Sequence, residues 1–402
     1  MRRVKINAVI LARLPIFGCA GFVLFLFFAV LWNGAVERDW PMLRIRSAAP
    51  LAGLAKPSGA PWTVAQLLSG ETQAAVSANV ARGLPVFPIA VRARNQIILS
   101  VLKRSPTLEV VIGRDDELFE QVYIDEYCVR GATPAKEIEA WSHDIRAIQD
   151  GVTRSGKGFV YLLSPSKAAL YPEKLPLNAC PSVVAARPDK VGPFVEALRM
   201  RNVTYVDGVA LMARNRRAFP FPLFPRGGSH WGAVGAALAL GEIARAAPTR
   251  MGPFVFDWSG LPRASGDDTD LVGLLNLLRP DLNYPTAAIM RAGAPGDCAQ
   301  APRIVAIGTS FLNQIIIDAA QAPCPPQVEQ WFHMRQPDGS YALFHYSHPP
   351  GDVTRGAARS SEAAALVENL AEAELVILEE NERALPHSPQ IDQLREAIAP
   401  RN

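Results

Sequence analysis

The sequence predicts an α/β protein whose parallel-rich sheet is flanked by helices and preceded by one N-terminal transmembrane helix. Three observations carry that expectation. Short apolar, β-favouring runs alternate with helical stretches along most of the chain, the pattern of strands joined by crossover helices. One such run, Arg303-Ile304-Val305-Ala306-Ile307, breaks at Gly308-Thr309-Ser310 and restarts as the apolar stretch Phe311 to Ile317. That puts a serine at the carboxyl end of a strand, where open parallel sheets place their chemistry. Residues 15–36, finally, carry no charge over roughly 20 positions, the length needed to cross a hydrocarbon core as a helix.

Arg2, Arg3, Lys5 and Arg13 stand before that run, and Glu37, Arg38 and Asp39 follow it. With the positive side N-terminal, the N-terminus is expected in the cytoplasm and the body of the protein outside it, held at the membrane by a single pass. The run exceeds the usual apolar core of a signal peptide and the small-residue site near Asn33-Gly34-Ala35 is mediocre, which favours an uncleaved anchor. Trp32 and Trp40 are expected near the outer interface. From Pro41 to about Pro61 the chain is rich in Ala, Pro, Gly and Ser, as a tether would be. The expected organisation is therefore cytoplasmic tip and anchor over 1–36, tether and first helix of the body over 37–84, and one large domain over 85–402.

The remaining elements follow from local pattern. Residues 63–81 have helical spacing, 95–103 is a short apolar segment, and 108–113 with 118–120 reads as a hairpin about the polar turn 114–117. Thr133-Pro134 opens a helix to about 153, with threonine as N-cap and proline at N1. Strands are expected at 159–163, 203–207, 253–258 and 375–378, and helices at 189–200, 232–246, 271–278 and 361–373. Residues 328–334 and 340–346 flank Pro337-Asp338-Gly339, a hairpin turn signal. Gly235, Ala236 and Ala239 predict close packing of the 232–246 helix.

Composition excludes several functions. The 402 residues carry 41 basic and 38 acidic side chains, interspersed, for a net charge of +3, so there is no nucleic-acid footprint. No GxGxxG follows a strand and no P-loop occurs, so no nucleotide cofactor is expected. No two cysteines form a CxxC pair, so no metal site is expected either. Of the five cysteines, Cys19 lies in the apolar run. Proximity in an exported domain pairs Cys128 with Cys180 and Cys298 with Cys324, the alternative being four buried thiols.

A serine on a strand-to-helix turn becomes a nucleophile only if a base reaches it. Of six histidines, His230 stands out: it follows a Pro- and Gly-rich approach, Phe219 to Ser229, at a loop-to-helix junction, with Trp231 directly after it. Ser310 and His230 are thus the candidate catalytic pair. The Ser310 backbone N–H and Asn313, in the first turn of the next helix, are candidate oxyanion donors, and Ser229 a candidate orienting group. Tyr341, Phe344, Tyr346, Trp231 and Trp258 are candidates for an aromatic stacking surface that would hold a substrate, and Arg226 for holding an anionic one.

The N-terminal anchor, Val111-Ile112-Gly113-Arg114-Asp115-Asp116-Glu117-Leu118-Phe119-Glu120, Ser164-Pro165-Ser166-Lys167 with Tyr171-Pro172-Glu173, Gly228-Ser229-His230-Trp231 and Gly308-Thr309-Ser310-Phe311 occur in an order that resembles the alginate O-acetyltransferase (AlgX/AlgJ-type) SGNH hydrolase-like family over about residues 85–390. The resemblance implies an SGNH hydrolase-like fold and acetyl transfer onto an exopolysaccharide in the periplasm, from a domain held at the inner membrane, with His230 as general base and Ser310 as nucleophile. It also implies a multi-spanning membrane O-acyltransferase partner that hands over the acetyl group, since acetyl-CoA is not at hand outside the cytoplasm. The family motif usually reads Asp-x-His-Trp, with the aspartate orienting the histidine, whereas Gly228 stands at that position here. Three readings stay open: a Ser-His dyad, a carboxylate from elsewhere (Asp207, Asp267, Asp268, Asp270, Glu379 or Glu380), or a relative without catalysis. An acetyl-esterase and a non-catalytic carbohydrate-binding or scaffold subunit are the alternative functions.

Overall fold

The structure is a computed structural model. It describes residues 8–36, 42, 45, 49–53, 62–129, 131–180, 189–247, 251–291, 301–336, 340–352, 358–359, 361 and onward to 399. By compactness the chain forms two units, residues 1–107 with 273–280, and residues 108–272 with 281–402.

In the first unit, helix α1 spans Ala8–Val36, and its segment Pro15–Asn33 is long and apolar enough to cross a membrane. The 63–81 stretch is helical but divided. Gly70, at φ 86°, ends α2 (Val64–Ser69) and begins α3 (Glu71–Gly83), a left-handed position that glycine takes without a Cβ penalty. Thr63 caps α2 by accepting from the Gln66 N–H. The apolar 95–103 segment is the second half of a longer helix, α4 (Phe87–Leu102), which Pro88 opens in its first turn. Asn95 on α4 is buried and donates to the Leu275 carbonyl at 2.9 Å. Tyr- or Phe-rich packing is not what holds this unit: its described apolar side chains are mostly exposed.

The second unit is built on a six-stranded sheet. Its strands and helices run β1 (Val110–Ile112), β2 (Leu118–Glu120), α5 (Gln121–Val129), α6 (Ala135–Arg154), β3 (Gly158–Ser164), α7 (Lys167–Leu170), α8 (Gly192–Met200), β4 (Tyr205–Asp207), α9 (Gly208–Asn215) and α10 (Ala233–Ala246). They continue as β5 (Phe256–Leu261), α11 (Asp270–Leu274, which runs into the first unit), β6 (Thr286–Arg291), β7 (Arg303–Gly308), α12 (Phe311–Ala319), β8 (Gln327–Arg335), β9 (Tyr341–His348), α13 (Ala363–Glu372), β10 (Leu375–Asn381) and α14 (Pro389–Ile398). The sheet order is β4-β3-β10-β7-β8-β9, and every pairing is parallel except β8 with β9. The expected parallel-rich sheet is therefore a mixed one with a single antiparallel edge strand.

The apolar runs read as strands because both faces of this sheet are covered, so consecutive residues are all buried. Val160, Leu162, Ile304, Ala306, Leu375 and Ile377 face a core shared with α10 and α12. Their neighbours Tyr161, Leu163, Val305, Ile307, Val376 and Leu378 face a second core shared with α6, α8, α13 and α14. The alternation is the period of two that a pleated strand imposes. α10 packs as closely as its small residues predict: a Cβ on Gly235 would lie 2.9 Å from the Trp231 Cβ.

Several local expectations shift. The 134–153 helix is there, but Pro134 is its N-cap and no side chain caps it, so Thr133 does not have the expected role. The 253–258 strand begins later, at Phe256, and pairs antiparallel with β6, which the sequence reading did not contain. The 271–278 helix stops at Leu274, and α5 and α9 are additional short helices. The β8–β9 hairpin forms as expected, while its Pro337-Asp338-Gly339 turn lies outside the described residues. Cys128 and Cys180 are joined as a disulfide. Cys324 is also disulfide-bonded, and its expected partner Cys298 lies outside the described residues.

Candidate active site

Ser310 follows the last residues of β7 and occupies the N-cap position of α12 without a side-chain capping bond, which leaves its hydroxyl free of the helix at the carboxyl ends of the parallel strands. The turn that carries it is held from the neighbouring strand. The Glu379 carboxylate, fully buried on β10, accepts from the Thr309 N–H at 2.6 Å and the Thr309 hydroxyl at 2.8 Å with one oxygen, and from the Ser164 hydroxyl at 2.5 Å with the other. Burial raises the Glu379 carboxyl, and the three donors oppose that rise. Only glycine fits at 308, because a Cβ there would sit 2.5 Å from a Glu379 carboxylate oxygen and 2.9 Å from its backbone oxygen.

His230 comes from the loop between α9 and α10. The Lys167 side chain, 2% exposed, shapes the approach: its ammonium donates to the carbonyls of Pro225, Arg226 and Gly228 at 2.6, 3.0 and 2.9 Å and pairs with Glu117 at 2.8 Å. Trp231 is buried beside the histidine and donates to the Phe311 carbonyl, which ties the His230 loop to the helix that Ser310 opens. The Phe311 ring meets the imidazole edge-on, with centroids 4.9 Å apart.

These constraints bring His230 Nε2 to 2.6 Å from Ser310 Oγ. On the other side of the ring, Nδ1 lies 2.7 Å from an Asp270 carboxylate oxygen. The carboxylate can only accept, so Nδ1 carries the proton and Nε2 is left to accept from the serine hydroxyl. Asp270 is fixed in turn: its other oxygen accepts from the Ser229 and Leu271 backbone N–H groups at 2.9 and 2.6 Å. Burial works against the charged imidazole, yet the hydrogen bond and charge of Asp270, with Glu120 and Asp267 adding, outweigh it and hold His230 above the ordinary histidine value.

Asp270 answers the question that Gly228 poses. It opens α11 in the connection between β5 and β6, and its segment folds across the His230 loop, with the Leu271 and Val272 N–H groups donating to the Gly227 carbonyl. The same fold crowds position 228: a Cβ there would lie 3.2 and 3.3 Å from the Asp267 and Asp268 carbonyl oxygens, so a side chain would need this connection to give by a few tenths of an ångström. Asp267 acts on His230 through its charge alone, and three of the other candidate acids have partners of their own. Asp207 caps α9, Glu380 accepts from Trp141 and Tyr161, and Glu379 holds Thr309.

Ser229 and Asn313 are placed differently from the catalytic pair. The Ser229 hydroxyl donates to Glu120 at 3.0 Å, and its contribution to the histidine runs through its backbone N–H on Asp270. The Asn313 carbonyl accepts from Gln330 Nε2 at 2.8 Å, and Gln330 is in turn bonded to His348, so the Asn313 amide is oriented by β8 and β9. Arg226 is paired with Asp281 at 2.6 Å and stacked over Tyr284. Trp231 is buried and offers no stacking surface; Trp258 and Tyr341 are each more than a third exposed. Glu120 and Lys167 stand in the sequence only as members of motifs with no role of their own, and Gln330 lies in no motif. Among the described residues no group of His, Cys, Asp and Glu could hold a metal ion.

The model of the SGNH hydrolase-like domain of acetyltransferase AlgX matches residues 110–315, just over half of the chain. The chain belongs to this family. Among solved structures, the AlgX-type chain is similar to the O-acetyltransferase domain of Pseudomonas putida AlgJ, at 22% identity and a TM-score of 0.43 over 72% of this chain and 99% of that one. Pseudomonas aeruginosa AlgX follows at 14% and 0.42, over 73% and 68%, and Bacillus cereus PatB1 at 11% and 0.43, over 70% and 98%. No curated protein matches. The AlgX-type match runs from the first strand of the β1–β2 hairpin through the middle of α12 and so contains Ser310, His230 and Asp270.

Proposed function

We propose that this protein is a membrane-anchored periplasmic O-acetyltransferase that moves acetyl groups onto an exopolysaccharide through an acetyl-serine intermediate. The observation that carries the reading is the continuous chain Ser310 Oγ, His230, Asp270, with contacts of 2.6 and 2.7 Å, in a chain of an acetyltransferase family. In the first step Ser310 Oγ attacks the acetyl carbonyl carbon and its proton passes to His230 Nε2, while Asp270 balances the imidazolium. The tetrahedral intermediate collapses, the donor's leaving group takes the proton from His230, and acetyl-serine remains. A sugar hydroxyl then attacks the ester carbonyl, gives its proton to the same nitrogen, and the proton returns to Ser310 as the acetylated sugar departs.

The developing oxyanion needs fixed donors. The Ser310 backbone N–H at the start of α12 and the Asn313 amide, oriented by Gln330, are the groups this reading assigns. No nucleotide fingerprint occurs in the sequence, which accords with an acetyl group delivered by a multi-spanning membrane O-acyltransferase. The apolar α1 with basic residues before it supports an inner-membrane anchor with the body outside the cytoplasm.

The test is the acetyl content of the secreted polymer in cells that make only the Ser310→Ala protein. Loss of acetylation is expected, and wild-type acetylation would overturn the reading. Water competes with the sugar for acetyl-serine, so the purified protein is assayed with a chromogenic acetyl ester with and without polysaccharide. Acetyl appearing on the acceptor supports a transferase, and free acetate alone assigns an esterase.

A further inference from the structure

Helix α4 has two unlike faces. Asn95 points inward and is fixed on the Leu275 carbonyl. Ile89, Ile97 and Val101 are 50%, 59% and 70% exposed. At the helical repeat these three fall within an arc of about 120°, with Asn95 on the far side. Arg94 borders the arc on one side and Arg92 on the other, and Lys103 and Arg104 follow directly at its C-terminal end. Leu102, at the end of the helix, is exposed as well.

The charge around this face has one sign. From Gln73 to Leu108 the chain carries Arg82, Arg92, Arg94, Lys103 and Arg104 and no aspartate or glutamate. A face made for a soluble protein partner commonly carries both signs for register; an apolar arc bordered only by cations matches an anionic phospholipid surface. The chain supplies such a surface nearby, because α4 follows the apolar α1 on the same polypeptide and in the same compact unit. Tethering raises the effective concentration of a weakly adhering helix at the bilayer, so modest affinity suffices.

We propose that α4 is a membrane-surface helix: Ile89, Ile97 and Val101 enter the boundary between headgroups and acyl chains, and Arg92, Arg94, Lys103 and Arg104 meet anionic phosphates. Arg92 also donates one guanidinium N–H to the Pro50 carbonyl, which holds its head group beside the chain that leads from the anchor. The inference rests on the membrane-anchor part of the proposed function. It makes the first residues of the body a second point of attachment, sensitive to lipid charge and to salt.

The experiment uses the full-length, unreduced protein in vesicles containing nitroxide-labelled lipid. A fluorophore on Cys19, the free cysteine among the described residues, reports insertion of α1. A fluorophore on Ile97→Cys, in a Cys19→Ser background, reports α4. Quenching of the Cys19 label is expected in all vesicles. Quenching of the Ile97→Cys label is expected to be about twofold greater with phosphatidylglycerol than with phosphatidylcholine alone, and to fall to the neutral-lipid level when Arg92, Arg94, Lys103 and Arg104 are changed to Gln. A quenched Cys19 label beside an Ile97→Cys label that lipid does not quench overturns the proposal while leaving the anchor. A blue-shifted but unquenched Ile97→Cys label overturns it in favour of a protein partner. If neither label is quenched, the anchor reading fails and this inference fails with it.

Discussion

Replacing Asp270 with asparagine isolates what the carboxylate does, because the side chain keeps its size and loses one acceptor. In the native site one oxygen serves two backbone N–H groups and the other serves His230 Nδ1. Asparagine has a single acceptor oxygen. If the backbone donors keep it, an NH2 group confronts the Nδ1–H and forces the other tautomer, with the proton on Nε2, where it cannot accept from Ser310. The loss expected in kcat/KM is about 10³ to 10⁴, or about 4 to 5.5 kcal/mol of transition-state stabilisation. A second signature separates this from mere misfolding. The base must be neutral, so activity rises with pH through the His230 pKa, which Asp270 holds above the ordinary value against the pull of burial. Without that charge the balance tips toward burial, and the acid limb moves to lower pH. The assay is hydrolysis of a chromogenic acetyl ester across pH, with circular dichroism as the folding control. Activity within tenfold of wild type, or a limb that stays in place, would refute the reasoning.

Further outcomes follow from the same contacts. Gly308→Ala drives a Cβ against Glu379 and its backbone and is expected to cost about 2–3 kcal/mol in thermal unfolding and to abolish ester hydrolysis. Lys167→Met leaves three carbonyls and Glu117 without their cation, and denaturant unfolding should show a loss of about 3–5 kcal/mol. Asp268 has a carboxyl that burial first, and then Asp267 and Asp270, push up to about 6. Because the folded protein favours its protonated form, the associated stability is full at low pH and lost as pH rises through about 6. Asp268→Asn should therefore raise stability at neutral pH by about 1–2 kcal/mol and change little at pH near 4, as read by thermal unfolding at the two pH values.

The parts of the site that were legible in the sequence are those set by local pattern. A β-favouring run that ends in Gly-Thr-Ser and resumes as an apolar helix can place its serine in few ways, and His230 at a Pro- and Gly-rich junction beside a tryptophan is similarly constrained. Asp270 was one of six acids with no local feature to separate it, because its role depends on how the connection between β5 and β6 folds over residues 227–229. Gly228 lets this connection lie close over the His230 loop, where a Cβ would press on the Asp267 and Asp268 carbonyls. β6 is hard to read although Pro280, Asn283 and Pro285 precede it, because Ala287, Ala288 and Met290 suit a helix as well as a strand and its partner lies some thirty residues earlier, the length of a long excursion rather than a hairpin. The division of the 63–81 helix turned on one left-handed glycine, and the inward side of α4 on a single asparagine, neither of which interrupts helical periodicity.

The central claim is that Ser310, activated by His230, carries the acetyl group. Its most direct test is mass-spectrometric mapping of the full-length protein quenched in acid during turnover of an acetyl ester. One acetyl group is expected on the peptide containing Ser310, absent from His230→Ala under the same conditions. An acetyl group on another residue, or turnover by the Ser310→Ala protein at the wild-type rate, would contradict it.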